Sequence, residues 1–187
     1  MVRLLFVRER KNNMKKNQTR DLAIGGMIAA LYVVLTYVAQ LFGLASGAIQ
    51  VRISESLTLM PVLFPTAVPG LTIGCLLANL LTGCAPWDVV FGTLATLIGA
   101  VGTWLLRKKP YLSWIPPVLS NTIIVPIVLM KVYGVGQEGV VSWLSGLPGG
   151  LYVPLAIQIF IGEMISCCVL GLLVCKAAER ALHNKLG

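Results

Sequence analysis

Residues 57–82 read LTLMPVLFPTAVPGLTIGCLLANLLT, 26 residues without a charge, interrupted by Pro61, Pro65, Pro69 and Gly70. Folded as one kinked helix or as two short ones, this run sets the parity of everything that follows it. Apolar segments also occupy 22–44, 89–106, 112–132 and 151–175. Each reaches or approaches the roughly 20 residues that cross a bilayer as a helix. The composition agrees: 57% of the 187 residues are hydrophobic and 12% charged, with mean hydropathy +0.84. A soluble domain carries about 25% charged residues. The expectation is an all-α integral membrane protein of one domain.

Charge distinguishes the two foldings of 57–82. Seven basic residues precede the first apolar run, three more stand at 107–109, and Lys176, Arg180 and Lys185 lie in the tail. Basic clusters flanking apolar spans hold loops on the cytoplasmic side. With two short helices there are six spans. Both termini and 107–109 then share the cytoplasmic face, with thirteen of the fifteen basic residues and only Arg52 and Lys131 outside. With one helix, the 107–109 cluster and the tail would face outward. The reading is therefore a six-helix transmembrane bundle with short, Pro-rich second and third helices. The turn between them is predicted at 65–70, where proline removes a donor and glycine permits tight geometry. A re-entrant hairpin would give the same parity. Irregular backbone at membrane depth must be buried in protein or line a cavity, so the segment is expected inside the bundle.

The domain limits follow. Residues 1–20 form a basic cytoplasmic segment, 21–182 the six-helix domain and 183–187 a cytoplasmic tail. The apolar run 22–44 has 23 residues, longer than the about 7–15 of a secretory signal, and is expected to be a retained span. The positive balance is accounted for by topology, and no nucleic-acid partner is expected. The five cysteines (75, 84, 167, 168, 175) lack metal-ligand spacing, so neither a metal nor a cofactor is expected. No G-x-x-x-x-G-K-[ST], H-E-x-x-H or G-x-S-x-G motif occurs, and the single histidine, His183, is in the tail. An enzyme lacks its parts.

Polar groups at membrane depth carry what chemistry there is. Glu163 falls near the middle of the last span, where an isolated carboxylate costs roughly 2.5–3.5 kcal/mol on insertion scales. It must face the interior and find a partner. Intramembrane acids are functional by default; the plainer alternative is a protonated glutamate bonded to a neighbouring helix, through Asn121 or Gln158. Asn121 and Asn79 serve equally well as interhelical glue. Asp88 suits the N-terminal dipole of an outer helix, beside Trp87 at the interface, and Trp143 and Tyr152 read as belt residues. Gly25, Gly26, Ala29 and Ala30 make two interleaved small-xxx-small pairs on the first span, for internal packing or for docking another subunit. In VRISES (51–56), Ser54 is placed to cap a helix, Glu55 suits its first turn, and Arg52 and Glu55 can pair at i,i+3.

The stretches IQVRISESLTLMPVLFPTAVPGLTIGCLLANLL (49–81), DVVFGTLATLIGA (88–100) and IGEM (161–164) resemble the QueT family, substrate-binding S components of energy-coupling-factor (ECF) transporters. The resemblance spans about 15–182 and is most specific over 49–100; residues 1–13 lie outside the pattern. It implies six helices in the bacterial cytoplasmic membrane, substrate capture from outside, and dependence on a transmembrane T component and two ATPases. It also implies that the Gly25, Gly26, Ala29, Ala30 face docks the T component. The implied substrate is a 7-deazaguanine precursor of queuosine, whose N1–H and amino group lie side by side for one carboxylate to accept. Glu163 is the first choice for that role. Asn121, Asn79 or Arg52 would serve the ring carbonyl, and Trp87, Tyr152 or Trp143 the ring face. Glu55 or Asp88 would meet an aminomethyl cation. An S component for another vitamin, or a membrane scaffold without a ligand, are the alternatives, because pocket residues and not fold decide the substrate.

Overall fold

The computed structural model describes residues 18–43, 52–132 and 152–184. Among the described residues the chain is helical without strands. Helix α1 (Gln18–Leu41) is followed by a 3-10 helix (Ile53–Val62), α2 (Ala67–Leu81), α3 (Pro86–Leu105) and α4 (Ile115–Val132). The last run comprises α5 (Tyr152–Glu163), a π-helical stretch (Met164–Gly171) and α6 (Leu172–Asn184), without a break between them. Among the described residues three helical stretches, Thr19–Leu41, Pro86–Lys108 and Tyr152–Arg180, are long and apolar enough to cross a membrane, while Ala67–Leu81 and Ile115–Met130 are shorter apolar helices.

The run 57–82 does divide in two, a little earlier than expected. The turn lies over 63–66, earlier than the expected 65–70, and Pro69 and Gly70 fall inside the first turn of α2. The first amides of a helix have no intrahelical acceptor, so a proline there costs no bond. The first half is also not α-helical. It is a ten-residue 3-10 helix that begins before the apolar run, at Ile53. At about 2 Å per residue it is roughly 20 Å long, well beyond the usual three or four residues.

That 3-10 helix lies in the interior. Eight consecutive residues, Ser54 to Pro61, are buried, so it has no lipid-facing side. It touches α1, α2, α3, the π-helical stretch and α6. Leu57 and Met60 join Ile28, Tyr32, Ala67, Leu71, Cys75, Ala78 and Ala100 in the apolar core. The outer surface is apolar as well: Leu22, Met27, Ile73, Val90, Ile98, Ile123 and Leu173 are all exposed. An apolar exterior around an interior holding Glu55, Glu163, Asn79 and Asn121 reverses the usual arrangement of a water-soluble domain. This is a membrane protein.

Two close helix contacts hold the frame. A Cβ on Gly70 would stand 2.6 Å from the Gly25 carbonyl oxygen, and one on Gly74 would stand 2.9 Å from the Ala29 carbonyl oxygen. Helices α1 and α2 thus approach through paired small residues four apart, as expected of helices in lipid. Across the next interface, a Cβ on Gly99 would stand 2.7 Å from Pro117 Cα, and the Thr103 hydroxyl donates to the Ser113 carbonyl at 2.9 Å.

A buried two-carboxylate cluster

Glu55 lies on the third residue of the 3-10 helix and is completely buried. The expected helix start is different here. Arg52 occupies the N-cap without a side-chain cap bond, and Ser54 and Glu55 turn inward. Local sequence reads Ser54 and Glu55 as a surface start; the fold-back of the whole segment into the bundle overrides that preference. The Tyr32 hydroxyl of α1 donates to Glu55 Oε1 at 2.5 Å. The other oxygen, Oε2, has no hydrogen-bond partner among the described residues. Half-buried Arg52 acts electrostatically on Glu55, Tyr32 and Asp88.

Glu163 arrives from the end of α5 and is 3% exposed. Asn121 Nδ2 donates to its Oε1 at 3.0 Å, the contact that the sequence offered as one of two possibilities. Cys167, one turn on, approaches Oε2 at 3.6 Å. The same thiol lies 3.4 Å from the Thr58 hydroxyl and 3.7 Å from the Glu55 carbonyl, joining the last helix to the 3-10 helix. The Asn121 amide also acts on the Glu55 carboxyl, and the two glutamates act on each other. Asn121 therefore stands between two buried acids. Its own Oδ1 is unpartnered among the described residues, as is the Ser166 hydroxyl.

Asn79 and Asp88 continue the polar band along α2 and α3. Both are buried, and Asn79 Nδ2 and Asp88 Oδ1 lie 3.1 and 3.5 Å from where a Gly92 Cβ would stand. Glycine at 92 leaves room for both side chains. Thr96 donates to Cys75 at 3.3 Å beside them.

Trp87 and Tyr152 are not gathered into the cluster. Trp87 is 62% exposed and stacks on Phe91 with ring centroids 6.1 Å apart. One residue along a helix rotates by about 100°, so Asp88 facing inward sends Trp87 outward. The Tyr152 hydroxyl is engaged at the rim with the Ile123 carbonyl, 3.3 Å away. Trp143 lies outside the described residues. The buried aromatic beside the carboxylates is Tyr32, which sequence reasoning did not select. Thr58, Ser166 and Cys167 were missed too, although each had a signal. Ser166 and Cys167 stand three and four places after Glu163 on a helix, and Thr58 stands three places after Glu55, where a 3-10 helix brings residues into register.

The small residues of α1 divide. Gly25 and Ala29 pack against Gly70 and Gly74, whereas a Cβ on Gly26 would meet nothing within 4 Å and Ala30 is exposed. Positions four apart form one stripe, and the neighbouring stripe is turned away by a single residue's rotation.

Against known proteins, the profile of the QueT transporter family matches residues 22–180. The queuosine precursor transporter QueT of Lactococcus lactis subsp. cremoris (strain MG1363) is 38% identical over 86 residues, which make up 46% of this chain and 50% of that protein. The match thus spans half the length of that relative. No solved structure matches the chain significantly. Relative and family are transporters, not enzymes. With the family match covering nearly all of the described helices, the chain belongs to the QueT transporter family.

Proposed function

We propose that the protein is the substrate-binding S component of an ECF importer and takes up a 7-deazaguanine precursor of queuosine. The observation that carries this reading is the pairing of two fully buried acids, Glu55 and Glu163, around Asn121. A bundle that faces lipid has no structural use for two desolvated carboxyls at one place, since each costs several kcal/mol unless something compensates it. The aminopyrimidinone edge of a deazaguanine offers adjacent N–H donors, which Glu163 accepts as a pair while Asn121 holds its carboxyl in orientation. The name of the Lactococcus relative supports the substrate class.

In this reading the six helical segments cross or enter the membrane with both termini and 107–109 in the cytoplasm, following the distribution of basic residues. Energy comes from partner ATPases through a T component, in keeping with a sequence that has no P-loop. The outward stripe of Gly26 and Ala30 is the docking face for that partner. The test is equilibrium binding of a 7-deazaguanine to the purified protein, followed by uptake in cells with and without the ATPase module. The expected result is micromolar or tighter binding, about −8 kcal/mol or better, and uptake only with the module. Absence of binding by any deazaguanine overturns the reading.

A further inference from the structure

The reading above needs one carboxyl for the aminopyrimidinone edge, yet the cluster holds two. Both oxygens of Glu163 have neighbours, the Asn121 amide and the Cys167 thiol. Glu55 differs: Tyr32 holds Oε1, and Oε2 is buried without a partner among the described residues. A second orphan among the described residues, Oδ1 of Asn121, is again an acceptor, and the Asn121 side chain acts on the Glu55 carboxyl. Unpartnered buried acceptors specify a ligand rich in donors, because a buried acceptor left unmade costs its full desolvation. Charge points the same way. Glu55 and Glu163 act on each other, and among the described residues Arg52 is the cation acting on both.

Resting on the proposed function, we infer that Glu55 is a specificity-determining residue which, with Asn121 Oδ1, receives a protonated amine carried on the 7-position of the deazaguanine. Glu163 takes the edge that every deazaguanine shares; Glu55 takes the group that distinguishes one from another. An ammonium supplies three donors and a positive charge. It therefore satisfies Oε2 and Oδ1 together and balances the second carboxyl. A nitrile at the same position supplies neither and leaves both acceptors unpaired. Sites built to hydrogen-bond a donor discriminate strongly against analogues that lack it.

The experiment is titration of the purified protein with 7-aminomethyl-, 7-hydroxymethyl- and 7-cyano-7-deazaguanine. The wild type is expected to prefer the amine over the nitrile by about tenfold or more, the scale of a charged hydrogen bond, with the uncharged hydroxymethyl compound between them. In Glu55→Gln the amine-to-nitrile ratio should shrink several-fold. Reading the ratio separates a lost contact from a general loss of binding. Equal or tighter binding of the nitrile by the wild type overturns the inference and leaves the proposed function standing. A weakened variant with an unaltered ratio also overturns it, because Glu55 then supports the fold or the shared ring. If Glu55→Gln does not fold, the wild-type series alone decides. Binding of none of the three removes the proposed function and the inference with it.

Discussion

Asn121 and Glu163 meet across the interface of α4 with the last helix, the amide donating to the carboxyl at 3.0 Å. The same amide stands beside Glu55, so one neutral side chain separates two acids. Replacing it with leucine keeps the volume and removes the donor. Asn121→Leu should lower the affinity for 7-aminomethyl-7-deazaguanine by about tenfold or more, the loss expected when a buried charged group gives up a hydrogen bond. Calorimetric titration in detergent measures this, and an unchanged Kd would show that Asn121 is interhelical glue alone.

The Tyr32 hydroxyl donates to Glu55 Oε1. Tyr32→Phe leaves the shape of α1 intact but strips the fully buried carboxyl of that partner. The expected cost is about 1–3 kcal/mol of stability, seen as a lower Tm of the purified protein. Added ligand should recover part of it, since binding to the folded state stabilises by mass action. A Tm equal to wild type would mean that the Tyr32–Glu55 contact contributes nothing net.

The α1–α2 contact gives a prediction free of any ligand. Gly74→Leu places side-chain atoms against the Ala29 backbone, where even a Cβ would be 2.9 Å from its carbonyl oxygen. Overpacking of this kind costs about 1–3 kcal/mol. Gly26→Ala, in open space on the same interface's partner helix, should instead raise helix stability by up to about 1 kcal/mol. Thermal unfolding of the two variants reads opposite signs; equal destabilisation would contradict the division of the small residues into an inner and an outer stripe.

What the chain betrays in one dimension is mostly what depends on local order. Apolar length and the distribution of lysine and arginine reveal the helices and the division of 57–82. Glu163 betrays itself because an acid in the middle of a span can only face inward. Glu55 does not, because its burial depends on a distant event, the packing of the 3-10 helix against α1 and the π-helical stretch. Ser54 and Glu55 carry the same local pattern as an ordinary solvent-facing helix start. Trp87 keeps two readings for a related reason: an aromatic at an interface and one in a pocket have the same sequence, and only the inward turn of Asp88 separates them. The prolines located the break only within a few residues, because proline is as acceptable in the first turn of α2 as in the turn before it.

The central claim is that the buried acids bind a ligand and do not merely brace the bundle. It is tested most directly by the affinity of purified wild-type protein and Glu163→Gln for 7-aminomethyl-7-deazaguanine under identical conditions. Glutamine keeps the size and the acceptor for Asn121 but loses the charge and the second acceptor oxygen. The account predicts micromolar or tighter binding by the wild type and a loss of at least about 1.5 kcal/mol in the variant, the low end for hydrogen bonds to a charged group. Unchanged affinity in Glu163→Gln would contradict it.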